Sequence, residues 1–198
     1  YTVYVFMVDR LINKLNQLYP LPPAISDYIK NLAKEFFIPA GQFLLREGQV
    51  CDKACYIAEG CTRSFYLNEG EEITSRFMMT GDIVTSWISY YTQKPGMEYI
   101  QTVEDTHFVA LSYQDIQSLY IQFPEFNAVA RRQVEYAFYQ SELRTQLLRK
   151  HTAEEKYDLF LQRHPGLMQK VPLKHIASYL GMSHETLSRV RSKYHRKY

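Results

Sequence analysis

Residues 171–194 read VPLKHIASYLGMSHETLSRVRSKY, and two helical periods run through them. Leu173, Ile176, Ala177 and Leu180 recur at the three- and four-residue spacing of one helix face. Gly181 interrupts the pattern where a chain must turn, and Ser183 is of a type that caps helix N-termini. Met182, Leu187 and Val190 then face inward from a second helix. The spacing predicts two short helices crossing at a tight glycine turn, with a small residue at the crossing. On the outer face of the second helix stand His184, Glu185, Ser188, Arg189 and Ser192, which the core does not need.

Working outward from this stretch, the charge changes sign along the chain. Residues 1–130 carry 9 Lys and Arg against 15 Asp and Glu, a net of −6, whereas residues 131–198 carry 14 against 6, a net of +8. Five of the six histidines also lie in the second part, so its positive potential grows at mildly acidic pH. A surplus of positive charge beside crossed helices and a polar outer face is what docking in the major groove of DNA requires. Arg can pair bidentately with guanine, Glu can accept from the cytosine amino group, and Ser or Thr can bond phosphates. Double-stranded DNA is therefore the expected partner.

The sequence before residue 113 has another rhythm. Glycines at 41, 48, 60, 70 and 81 separate short aromatic and β-branched runs, the pattern of an antiparallel sandwich or barrel. Strands are predicted at Gln42–Leu45, Ala54–Ala58, Thr62–Leu67, Glu72–Met79, Tyr99–Val103 and Thr106–Ser112, with a hairpin turn at Asn68-Glu69-Gly70-Glu71. Helical spacing precedes them: Leu11, Leu15 and Leu18, a break at Pro20 and Pro22-Pro23, then Ile25, Ile29 and Leu32. After Ser112 the pattern is helical again. Pro124 suits a first helical turn, and Phe126 to Lys150 runs without a breaker. Such a helix is about 37 Å long, more than one small domain needs, and its stripe Val129, Ala130, Val134, Ala137 and Ser141 predicts a homodimer.

The fold expected is thus α+β: a β-roll (jelly-roll) sensor domain with N-terminal helices over residues 1–123, a dimerisation helix over 124–150, and a helix-turn-helix domain over 151–198. With 198 residues, 46% hydrophobic and 22% charged, the chain has material for a real core and is not of disordered or low-complexity composition. The longest apolar run, Tyr1–Val8, ends at Asp9-Arg10, short of the roughly 20 residues of a membrane span, and it lacks the flanks of a secretory signal. No membrane partner is expected. Three cysteines, Cys51, Cys55 and Cys61, agree with a reducing compartment, and the cytoplasm is the expected location.

Taken together, about residues 9–196 resemble the CRP/FNR family of bacterial transcription regulators. The resemblance rests on Pro39-Ala40-Gly41-Gln42, Leu45-Arg46-Glu47-Gly48, Tyr56-Ile57-Ala58-Glu59-Gly60, the long helix after Phe123-Pro124, and Ile176-Ala177 through Ser183-His184-Glu185-Thr186-Leu187-Ser188-Arg189. It implies a β-roll sensor domain, a dimerisation helix, a helix-turn-helix that binds a two-fold symmetric operator, and RNA polymerase as a further partner. By the same resemblance, Glu185 and Arg189 match base-reading positions, and Lys174, Ser183 and Thr186 match positions that bond the DNA backbone. His184 stands where many members have Arg, so operator preference at that base pair does not carry over. The family's β-hairpin wing after the recognition helix is either absent or trimmed in a chain that stops at Tyr198.

The sensor departs from the nucleotide-binding members in its chemistry. There a Gly-Glu pair holds the ribose and an Arg-Ser or Arg-Thr pair holds the cyclic phosphate, because the first needs an acceptor and the second a bidentate cation. Here the matching stretch is Gly81-Asp82-Ile83-Val84-Thr85-Ser86-Trp87-Ile88, Gly96-Met97 stand in place of the Arg pair, and Lys94 is the cation nearby. The expected effector is therefore an unnamed small molecule other than cyclic AMP, in a pocket of Phe77, Thr85, Ser86, Trp87, Lys94 and Tyr99. The alternatives are a cyclic-nucleotide-responsive regulator, or a ligand-sensing protein-interaction module with weak DNA binding. Cys51, Cys55 and Cys61 are too few for a four-cysteine iron–sulfur cluster, His107 is expected to be structural, and no metal or other cofactor is expected. No phosphate-cradling glycine loop or nucleophile motif is found, so an enzyme is not expected.

Overall fold

Helices α1 (Val5–Leu18) and α2 (Pro23–Leu32) form on either side of the proline break, with Pro23 in the first turn of α2, where its missing N–H costs nothing. A computed structural model describes residues 5–195; the beginning of the run Tyr1–Val8 and the stop at Tyr198 lie outside the described residues. Lys30 pairs with Asp9 at 2.9 Å across the two helices. Their inner faces, with Leu11, Leu15, Ile25 and Ile29, are buried against Tyr56, Val109 and Leu111 of the sheet that follows.

Eight strands come next: β1 (Lys34–Ile38), β2 (Phe43–Leu45), β3 (Lys53–Glu59), β4 (Cys61–Asn68), β5 (Glu71–Met79), β6 (Ile83–Val84), β7 (Tyr99–Thr102) and β8 (Thr106–Ser112). They make two four-stranded sheets, ordered β1-β8-β3-β6 and β2-β7-β4-β5, the crossed-over order of a jelly roll. A second core of Cys55, Ile57, Val84, Ile100 and Phe108 is buried within the sandwich, and Phe36 stacks on Phe108 at 5.2 Å. All six predicted strands are present. Strands β1 and β6 are additional to the six that periodicity predicts: β1 follows α2 with no glycine between, and β6 is two residues long.

Two turns explain why this sequence folds so. At Gly60, φ is +115° and an added Cβ would lie 2.5 Å from Thr106 Oγ1 and 2.7 Å from the Asp105 carbonyl, so only glycine lets β3 turn into β4. In the predicted hairpin turn, Glu69 and Gly70 have φ of 51° and 85°, the double positive φ of a two-residue type I′ loop.

The remaining elements are helical: α3 (Trp87–Thr92), α4 (Tyr113–Gln122), α5 (Phe126–Lys150), α6 (Ala153–Arg163), α7 (Leu167–Lys170), α8 (Leu173–Tyr179) and α9 (His184–His195). Ser112 and Asp115 close a capping box on α4, and Thr152 and Glu155 close one on α6. The chain separates into two compact units. One holds the residues up to Ser64 with Phe77–Tyr136; the other holds Phe65–Arg76 with the residues from Ala137 on. The tip of the β4–β5 hairpin therefore belongs to the helical unit. Among the described residues no helix is long and apolar enough to cross a membrane.

Candidate functional site

In the helical unit, α8 ends as its sequence dictates. Gly181 at φ +62° lets its own N–H reach the Ser178 carbonyl at 3.1 Å and the Met182 N–H reach that of Ala177 at 3.1 Å, a Schellman closure. Ser183 then caps α9, its Oγ accepting the Thr186 N–H at 3.2 Å. Ile176, Leu180 and Leu187 are fully buried and Val190 nearly so, which fixes the rotation of α9. The opposite face is exposed at Ser183, His184, Glu185, Ser188 and Arg189, with Thr186 half-buried, and Lys174 is exposed on α8. Arg189 Nη2 donates to Thr186 Oγ1 at 3.3 Å and Ser183 Oγ contacts the same hydroxyl at 3.2 Å, so three predicted residues form one polar row.

The electrostatics of this row suit the N-terminal end of a helix. The Glu185 carboxyl is held below the usual carboxylate range, first by its own backbone N–H, then by the Ser183 hydroxyl and the charges of His184 and Arg189. At the far end, Lys193 pairs with Glu154 at 3.2 Å and the Tyr194 hydroxyl lies 3.3 Å from Asp158 Oδ1, tying α9 to α6. Tyr157 meets Tyr194 edge-on at 5.4 Å. These bonds hold α9 from behind and leave its outer face clear.

Helix α5 divides the predicted dimer stripe. Val129 is 1% exposed and so is not available to a second chain, while Ala130 is half-buried against the same core as Leu119 and Phe126. The first turn of α5 is thus spent on the core it shares with the β-sandwich. Beyond it, Val134 (40%), Phe138 (67%) and Leu148 (38%) are exposed, and with Ser141 and Thr145 they repeat at the four–three spacing of a coiled-coil seam. Ala137 lies half-buried beside that seam.

The β-sandwich holds a cavity of about 270 Å³ lined in part by residues 49–53. Sheet register builds it: Leu45 is opposite Ile100, Cys55 is opposite Val84, and all four line it together with Cys51 and Thr85. Of the six predicted pocket residues, Thr85 alone lines this cavity. Ser86 is buried beside it, its N–H donating to Cys51 Sγ at 3.4 Å. Phe77 is buried, Trp87 stacks on Tyr91 at 5.8 Å, Tyr99 donates to Glu47 Oε2 at 3.2 Å, and Lys94 is exposed. Cys51 instead ties the cavity wall to α3: its N–H donates to Ser89 Oγ at 2.9 Å, its carbonyl accepts from Gln93 at 3.3 Å, and its thiol meets the Thr85 hydroxyl at 3.2 Å.

Burial pushes the Cys55 thiol far up, so it is not a thiolate. The three cysteines are free and buried, and among the described residues no cluster of His, Cys, Asp and Glu is arranged to hold a metal. Sequence reasoning also missed a buried cation. Arg63 on β4 is 3% exposed and donates to Gln101 Oε1 at 3.1 Å. An arginine inside the run CTRSF is the one signal that could have marked it.

Residues 35–123 match the family described as the cyclic nucleotide-binding domain. The transcriptional activator protein Anr of Pseudomonas protegens is 24% identical over 166 residues, covering 78% of this chain and 67% of Anr. Among solved structures, FixK2 of Bradyrhizobium japonicum superposes with a TM-score of 0.69 at 19% identity, covering 83% of this chain and 85% of that one. The catabolite activator protein of Thermus thermophilus gives 0.56 at 21%, covering 93% and 87%. Residues 35–123 thus match the cyclic nucleotide-binding domain family, and the chain shares the fold of FixK2 and of the catabolite activator protein.

Proposed function

We propose that this chain is a homodimeric, sequence-specific DNA-binding transcription regulator whose β-roll unit senses a small molecule. The observation that carries this reading is the outer face of α9: four polar side chains, His184, Glu185, Ser188 and Arg189, stand exposed on a helix whose rotation is fixed by buried Leu187 and Val190. Arg189 and Glu185 read base edges, His184 and Ser188 lie alongside them, and Lys174, Ser183 and Thr186 hold the phosphates. The α5 seam of Val134, Phe138, Ser141, Thr145 and Leu148 pairs two chains on a two-fold symmetric operator, with RNA polymerase as the further partner of a bound dimer. That Anr is named a transcriptional activator and the Thermus thermophilus protein a catabolite activator supports the same reading.

The effector acts through its different affinity for the dimer states. Its seat is the cavity walled by Cys51, Cys55 and Thr85, somewhat below the ~300–1,000 Å³ usual for ligand pockets. Gly96 and Met97 at the position of the Arg pair, and an exposed Lys94, argue against cyclic AMP. Two titrations test the proposal. Affinity for duplex DNA should fall steeply with salt, because phosphate contacts release counterions; a flat dependence points to a protein-interaction module instead. Calorimetry with cyclic AMP and cyclic GMP should give no heat; saturable micromolar binding restores the cyclic-nucleotide reading that the domain match favours.

A further inference from the structure

The β4–β5 hairpin ends in Asn68-Glu69-Gly70-Glu71-Glu72, three carboxylates and no cation. This tip clusters with the helical unit, and the bonds that seat it are specific. Ser178, in the last turn of α8, accepts the Thr74 N–H at 2.8 Å and donates to the Glu72 carbonyl at 3.0 Å, so one hydroxyl satisfies two main-chain groups of β5. Glu72 Oε2 lies 3.5 Å from His175 Nδ1. Beside this seat Arg144 stacks on the Tyr179 ring at 3.7 Å and donates to the Tyr179 carbonyl, fixing the end of α8.

Ser178 lies four residues after Lys174 and three after His175, and on a helix such spacings share a face. The hairpin thus sits on the Ser178 and His175 flank of α8, which adjoins the exposed Lys174, and it brings negative charge to that flank. We propose that the acidic tip of the β4–β5 hairpin is an intramolecular competitor for DNA. It takes the place of the phosphate backbone on α8 and has to be displaced before Lys174 and its neighbours engage. The proposal rests on the DNA-binding reading above.

Two variants of the full chain test it by fluorescence anisotropy on a labelled duplex. Glu69, Glu71 and Glu72 are exposed, so replacing all three by Gln does not threaten the fold. The triple variant should bind roughly three- to thirty-fold more tightly at low salt, and the gain should shrink as salt screens the carboxylates. Ser178→Ala removes the seat without changing charge and should also tighten binding, by a smaller factor that salt leaves unaltered. Unchanged or weaker binding in both variants overturns the competitor role. Lys174→Ala, made in each background, separates the two failures. If it weakens binding while the hairpin variants bring no gain, the competitor role alone falls; if it has no effect anywhere, the DNA-binding reading falls with it.

Discussion

Arg189 on α9 and Arg63 on β4 are two guanidinium groups with opposite fates. Arg189 is exposed, its bonding in the helical unit goes to the hydroxyl of a neighbouring residue, and most of its fork remains for a partner. Arg63 is 3% exposed inside the β-sandwich and bonds Gln101 on the neighbouring strand. A helix whose one face is packed must leave the other in water, so the helical unit displays its chemistry. A sandwich turns its chemistry inward, where each polar group has to be satisfied by another strand. The difference teaches where each proposed function has to be sought: on a surface for DNA, and in the register between strands for an effector.

The comparison breaks most visibly if the face behind α9 is lost. Leu187→Ala empties a fully buried site and should cost about 2–5 kcal/mol in urea unfolding, abolishing DNA binding with no residue of the outer face altered. Retained binding would mean that α9 does not depend on its packed face. An effect of about 2–3 kcal/mol should come from acid. His164, flanked by Phe160 and Tyr179, has its pKa lowered from 6.5 to about 4, first by burial and then by Arg163 and Arg144. The unfolded chain therefore takes up a proton that the folded one refuses. Stability from this residue is full above pH 6.5 and is lost as pH falls towards 4, about 2–3 kcal/mol by pH 4.5. His164→Gln, unfolded at pH 7 and pH 4.5, should lose much less between the two.

The two arginines sharpen the contrast directly. Arg189→Ala should weaken specific binding by about 1–3 kcal/mol and change preference at one base pair, with thermal stability unaltered. Arg63→Ala should do the reverse, costing about 1–3 kcal/mol of stability because Gln101 Oε1 loses its donor, and leaving base preference alone. An Arg63 variant with altered base preference would erase the distinction. The smallest effect is expected at the cap of α9, where Ser183→Ala should cost about 1 kcal/mol, read by thermal unfolding.

How much was legible in the sequence follows the same division. The helix-turn-helix was readable because its signals are local: Leu173 to Val190 keep one period, Gly181 marks one turn, and Ser183 marks one cap. Six strands were readable from glycine spacing, whereas Lys34–Ile38 shows itself as a strand only through its pairing with residues 106–110, some seventy positions away. The cavity was not readable for the same reason. Leu45 meets Ile100 and Cys55 meets Val84 through pairings that no window of sequence contains. On α5 the stripe 130, 134, 137, 141 and the seam 134, 138, 141, 145, 148 both fit a helix. What excludes Val129 is the burial of Phe126 and Val129 with Leu119, a fact of tertiary packing.

The central claim is that α9 reads DNA, and selection of binding sites from a pool of randomised duplexes tests it most directly, run in parallel with the wild-type chain and Arg189→Ala. A two-fold symmetric consensus is expected for the wild type, and a relaxed preference at one position in each half-site for the variant. Enrichment of no sequence, or the same consensus from both proteins, would contradict it.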